Sequence, residues 1–135
     1  MMNDESVVAD VRSTYDSRIV GEKVAYWKFK KGATAHSFMH AFEEFKRSVT
    51  KPNITSLVVS VEMDDPWGET IQDLWIKTGE IADYSGIRKW GIYVPETNFK
   101  KATIRFLVTG AGKGTRRYQH FISSNEREVV TWAMQ

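Results

Sequence analysis

The segment Ile54-Thr55-Ser56-Leu57-Val58-Val59-Ser60-Val61-Glu62-Met63 decides the fold. Leu57-Val58-Val59 and Val61 form a short apolar run bounded by Pro52-Asn53 on one side and Asp64-Asp65-Pro66 on the other, so it reads as a buried central strand. A strand apolar on both faces needs a cover on both faces, and the flanking sequence supplies one. Upstream, after Lys31-Gly32, Phe38, Phe42, Phe45 and Val49 recur at helical spacing with Ala41 beside them, and Pro52 blocks continuation. Earlier still, Val8 to Phe29 carries the β-formers Val20, Val24, Tyr26, Trp27 and Phe29. An antiparallel hairpin is expected there, with its turn at Gly21-Glu22-Lys23 or at Asp16-Ser17.

Downstream, Asp65-Pro66 predicts an N-cap with proline at the first helical position. Ile71, Leu74, Trp75, Thr78, Ile81 and Ala82 then form one helical stripe that ends near Ser85-Gly86. Lys89 to Val94 is a further strand, closed by Pro95. Thr97 or Asn98 can cap a third helix with Phe99, Ala102, Thr103, Phe106 and Leu107 on one face, stopped by Gly110, Gly112 and Gly114. Ile104 and Val108 fall on the other side of that helix, so a strand through Thr103 to Val108 is the competing reading. Thr115 to Ile122 reads as a strand, and Ser123 and Glu126 stand in capping-box spacing before a last helix carrying Val129, Val130, Trp132 and Ala133. A hairpin followed by alternating helices and strands predicts an α/β fold with a four- to five-stranded, mainly parallel sheet and covering helices.

Composition sets the bounds. At 135 residues, with 41% hydrophobic and 13% aromatic side chains, the chain can bury one sizeable core. It is read as a single domain over residues 1–135, with residues 1–7 as a flexible tail. The absence of cysteine removes disulfides and thiolate metal sites and is compatible with a reducing compartment. The net charge of +2 comes from 19 basic and 17 acidic residues mixed along the chain, so no field steers it to nucleic acid. Met1 to Asp10 lacks the pattern of a secretory signal, and no apolar run approaches the ~20 residues of a membrane span. A cytoplasmic protein without integral membrane association is expected.

The order of elements resembles STAS domains, in particular the anti-sigma-factor-antagonist-like (SpoIIAA-like) branch described as STAS/SEC14-like. The resemblance covers nearly the whole chain. It rests on Val24 to Phe29 running into the Phe38/Phe42/Phe45 helix, Leu57 to Val61 followed by an acidic turn, Trp90 to Val94, and Tyr118 to Ile122 with Glu126, Glu128, Val129 and Trp132. It implies a regulatory or protein-interaction module, or a carrier of a small apolar ligand or lipid. In STAS regulators a serine or threonine at the start of the second helix is a phosphorylation switch. The matching segment here, Asp64-Asp65-Pro66-Trp67-Gly68-Glu69-Thr70, offers only Thr70, several residues into the expected helix. A phosphate there would meet Asp64, Asp65 and Glu69, so the switch is not expected to be retained.

Other constellations are weaker. Gly110-Ala111-Gly112-Lys113-Gly114-Thr115 looks like the end of a phosphate-binding loop, but the required leading glycine falls at Leu107 and a strand follows where a helix is needed. Weak anion binding by Lys113, Arg116 and Arg117 is the milder expectation. His36, His40 and Glu43 share a helical face that could ligate a metal, yet that face points away from the apolar stripe, which predicts solvated side chains and no resident metal. Glu43-Glu44 and Asp64-Asp65 read as a solvated helix face and a cap, since no second group stands beside them to make an acid/base pair. No catalytic residue and no cofactor are assigned. The first expectation is a non-enzymatic module that binds a protein partner through Asp64, Asp65, Trp67, Gly68 and Thr70. The alternative is a small apolar ligand or lipid held among Trp67, Leu74, Trp75, Phe99 and Phe106. A homodimer is compatible with either. A third, enzymatic reading would place chemistry at the carboxyl ends of the parallel strands.

Overall fold

The computed structural model describes residues 13–63, 68–95 and 118–135. Its centre is the strand that the apolar run predicts: β3 (Ser56–Val61) is buried at every residue. On one side it pairs in parallel with β2 (Val24–Phe29) and on the other with β4 (Lys89–Tyr93). Outside these, β1 (Tyr15–Val20) runs antiparallel to β2, and β5 (Gln119–Ser123) runs parallel to β4. The five-stranded mixed sheet therefore has the order β1-β2-β3-β4-β5.

The hairpin turns at Gly21-Glu22-Lys23, where Gly21 and Glu22 have φ of 58° and 64° and the Lys23 N–H donates to the Val20 carbonyl at 3.3 Å. Two successive positive φ values belong to a type I′ turn, whose twist matches that of paired strands. Asp16-Ser17, the other candidate turn, lies inside β1.

Three helices cover the sheet among the described residues: α1 (Ala35–Ser48), α2 (Glu69–Tyr84) and α3 (Glu126–Met134). At the start of α1 the Thr34 N–H donates to Ser37 Oγ at 2.9 Å, and that fully buried hydroxyl also pairs with Thr14 Oγ1 at 2.5 Å. The cap thus ties α1 to the segment leading into β1. Two expected helix starts are displaced. α2 begins at Glu69 with Gly68 as its N-cap, three residues beyond the expected proline position, and Asp65-Pro66 lies outside the described residues. α3 is capped by Asn125, whose side chain accepts from the Glu128 N–H at 3.2 Å, and not by Ser123. The expected third helix or strand over 97–108 and the glycine-rich segment 110–115 lie outside the described residues.

Period-two alternation sends Trp27, Phe29, Leu57, Val59, Trp90 and Ile92 into one core beneath α1 and α2. The intervening Val24, Tyr26 and Val58 join Val129 and Ala133 of α3 in a smaller core on the other face. Burying a side chain such as Leu57 or Ile92 stabilises by roughly 1.5–3 kcal/mol relative to leaving it exposed, so the register of the central strands is strongly fixed.

Candidate functional site

The two faces are packed differently. α3 lies close on β3 and β4, and at Gly91 a Cβ would come within 2.6 Å of Val129 Cγ1. α2, in contrast, approaches α1 more closely than it approaches any strand. The gap between α2 and the sheet is spanned by aromatic side chains: the indoles of Trp75 and Trp90 stack with centroids 5.2 Å apart and planes 7° from parallel. Nearby, Phe29 stacks on Phe38 at 3.9 Å and Trp27 meets Phe45 edge-on at 5.8 Å.

A space is left between these rings. A cavity of about 40 Å³ lies beneath α1 and α2, walled by Trp27 and Phe29 of β2, Leu57 and Val59 of β3, Trp90 of β4, Phe42 and Phe45 of α1, and Leu74, Trp75 and Thr78 of α2. None of its described lining residues is charged. The Thr78 hydroxyl donates to the Leu74 carbonyl at 2.7 Å, one turn back. Indole donors also stand in this wall. The indole N–H groups of Trp27 and Trp90 are buried, and neither meets an acceptor among the described residues.

Two polar clusters flank the cores. On the α3 face, near the carboxyl ends of β2 and β3, Glu126 Oε2 accepts from Tyr26 Oη at 2.7 Å and from Ser60 Oγ at 2.5 Å. Lys28 Nζ stands 3.6 Å from Glu126 Oε1 and 3.6 Å from Glu62 Oε2. Burial by itself would raise the Glu126 pKa, but the Ser60 and Tyr26 hydroxyls and the Lys28 ammonium outweigh it and hold the carboxyl below its ordinary range. Burial, reinforced by the adjacent carboxylate, pushes the Tyr26 phenol up to about 12. Ser60 is fully buried, so its hydroxyl serves the carboxylate and anchors the start of α3.

The second cluster corrects two sequence expectations. His40 is half-buried, with Nδ1 2.6 Å from Tyr15 Oη. The same phenol donates to Glu44 Oε1, and Ser17 Oγ donates to Glu44 Oε2 at 3.0 Å. Neither His40 nor Glu44 is therefore a solvated group without a partner: β1 lies beside α1 and brings Tyr15 and Ser17 over that face. His36 remains exposed, and no group of three His, Asp or Glu among the described residues is placed to hold a metal. The sequence signal that could have found the cluster is Tyr15-Asp16-Ser17 in an end strand next to a helix carrying an i,i+4 His-Glu pair.

Of the predicted ligand-binding residues, Leu74 and Trp75 line the cavity, whereas Trp67, Phe99 and Phe106 lie outside the described residues. Of the predicted partner-binding residues, Gly68 and Thr70 are exposed at the start of α2, and Asp64, Asp65 and Trp67 lie outside the described residues, as do Lys113, Arg116 and Arg117. Thr70 is the second residue of α2, so it sits in the first turn and not deeper in the helix as expected. The rest of the described wall comes from β2, β3, β4, α1 and Thr78 of α2, including Trp27, Phe42, Phe45 and Trp90, which the sequence placed in strands or on the apolar stripe of a helix. No described helix is long and apolar enough to cross a membrane. In comparisons with known proteins, no protein-family model matches the chain and no curated protein is similar to it.

Proposed function

We propose that the protein is a non-enzymatic binding module of the STAS/SEC14-like kind, which takes up a small, mainly apolar molecule between the sheet and helices α1 and α2. The observation that carries this reading is the uncharged, aromatic-walled cavity beneath a helix with little close backbone contact to the strands. At about 40 Å³ it has room for a few waters, well below the ~300 Å³ of ordinary ligand pockets. Binding therefore includes an outward movement of α2, which has less backbone contact with the strands to give up than α3 has. Native mass spectrometry of freshly purified protein tests the reading directly. A non-covalent adduct that disappears on denaturation is the expected result. A bare mass, together with no thermal stabilisation by any small apolar compound, would overturn it.

A regulatory, protein-interaction role is the second reading. It is favoured by the exposure of Gly68, Glu69 and Thr70 at the start of α2, on the helix that ligand uptake would displace. The two readings join if the occupied and empty forms present that helix start differently.

A further inference from the structure

Resting on the proposal that the cavity beneath α1 and α2 takes a ligand, we infer that this ligand is a neutral molecule with a hydrogen-bond acceptor, such as a ketone, ester or ether, and is neither a pure hydrocarbon nor an anion. The inference comes from the wall. Trp27 and Trp90 are 4% and 1% exposed, on the two strands β2 and β4 that flank β3, and on the same face of the sheet. Both line the cavity, and both have an indole N–H that meets no acceptor among the described residues. An indole nitrogen can only donate, and a buried donor is ordinarily satisfied because leaving it unmade costs the desolvation of the group. An occupant with a lone pair satisfies one or both donors, whereas a hydrocarbon leaves them as they were.

The same wall argues against an anion. A fatty acid carboxylate or a phosphate head group would be placed among side chains that include no cation, and burying an unpaired charge is far costlier than burying a neutral carbonyl. The charged groups nearest in sequence point elsewhere: Lys28 faces the Glu62 and Glu126 carboxylates on the opposite side of the sheet, and Lys89 donates to the Trp132 carbonyl of α3 at 3.0 Å.

The test uses an isosteric pair, cyclopentanone and methylenecyclopentane, which differ in carrying C=O or C=CH2. The two are titrated into the full ¹⁵N-labelled chain while the tryptophan indole N–H resonances are followed, with Trp27→Phe and Trp90→Phe used to assign the signals. The ketone is expected to move the Trp27 or Trp90 indole N–H resonance downfield and the alkene to leave both in place. The ketone should also bind roughly two- to tenfold more tightly than hydrophobicity alone allows, the worth of one net hydrogen bond. That advantage should shrink in at least one of the phenylalanine variants. Equal binding of both compounds, with neither indole N–H responding to the ketone, would overturn the inference and leave the binding proposal standing. If neither compound perturbs any cavity residue at millimolar concentration, the binding proposal itself falls. The comparison of ketone with alkene on the unmodified chain needs no variant to fold.

Discussion

Glu126 shows how one side chain can decide where a helix starts to pack. Its Oε2 accepts from Tyr26 and Ser60 while Lys28 faces Oε1, so three donors from two strands converge on the first residue of α3. Because its folded pKa is depressed, its contribution to stability is complete above the unfolded carboxylate value and is lost as pH falls through the folded one. Urea melts between pH 3 and 7 should therefore show an acid-side loss of stability that Glu126→Gln diminishes; an identical pH profile in the variant would show that the cluster is not the cause. Tyr26 has the opposite sign. Its phenol is raised to about 12, so the fold favours the protonated form, and stability present below the unfolded value near 10 declines as pH rises toward 12. Tyr26→Phe should flatten that alkaline decline in melts between pH 8 and 11.5, at the cost of one donor to Glu126. At the other cluster, Tyr15→Phe removes the hydroxyl that Glu44 and His40 share. A loss of about 1–2 kcal/mol in urea unfolding at neutral pH is expected, and no loss at all would mean that water replaces the phenol without penalty.

Among elements, the close seat of α3 on β4 depends on the missing side chain of Gly91. A Cβ added there would stand 2.6 Å from Val129 Cγ1 and 3.5 Å from the Val129 carbonyl oxygen, so Gly91→Ala should destabilise by about 1–3 kcal/mol through overpacking, despite the better strand propensity of alanine. Val129→Ala in the same chain should recover part of that loss, and strictly additive unfolding energies in the double variant would contradict the steric account. No reading of the sequence singled out Gly91, because the need for a bare position comes from a helix 38 residues further on. Elements whose cause is local were legible: the β3 run between its breakers, the Phe38/Phe42/Phe45 stripe, and the Trp75 stripe that ends at Ser85-Gly86. Helix starts were less so. Ser123 has capping-box spacing to Glu126, but Asn125 caps α3, and Glu126 is turned to the sheet by Tyr26 and Ser60, partners that lie far back in the chain. The same distance hid the Tyr15-His40-Glu44 cluster, since a helical wheel of α1 puts His40 on the outer face and carries no information about β1. Of the cavity wall, Leu74 and Trp75 could be named in advance, as members of a helical stripe. Its Trp27 and Trp90 donors differ from ordinary core tryptophans only in lacking an acceptor, which no sequence pattern encodes.

For the whole molecule, the asymmetry between the two faces of the sheet is the property on which the proposed function rests. One face is sealed by a short helix held at both ends, by the Glu126 cluster at its start and by bonds from Ser56 Oγ to the Ala133 carbonyl and Lys89 Nζ to the Trp132 carbonyl at its finish. The other face is covered by two helices, of which α2 rests on α1 and on stacked rings more than on the strands. Local opening draws on the elements with the least tertiary contact, so α2 should open at a lower free energy than β2, β3 and β4. Hydrogen exchange followed by mass spectrometry is expected to show α2 amides exchanging well ahead of those in the central strands, and slowing when a ketone occupies the cavity, because an occupant that binds only while α2 stays folded over the sheet, even when shifted outward, stabilises that state against local unfolding as its concentration rises above Kd. Protection of α2 equal to that of β3 would mean that the helix leaves the sheet only on global unfolding. Ligand exchange would then be as slow as unfolding itself, and a binding role for the cavity would lose its route of access.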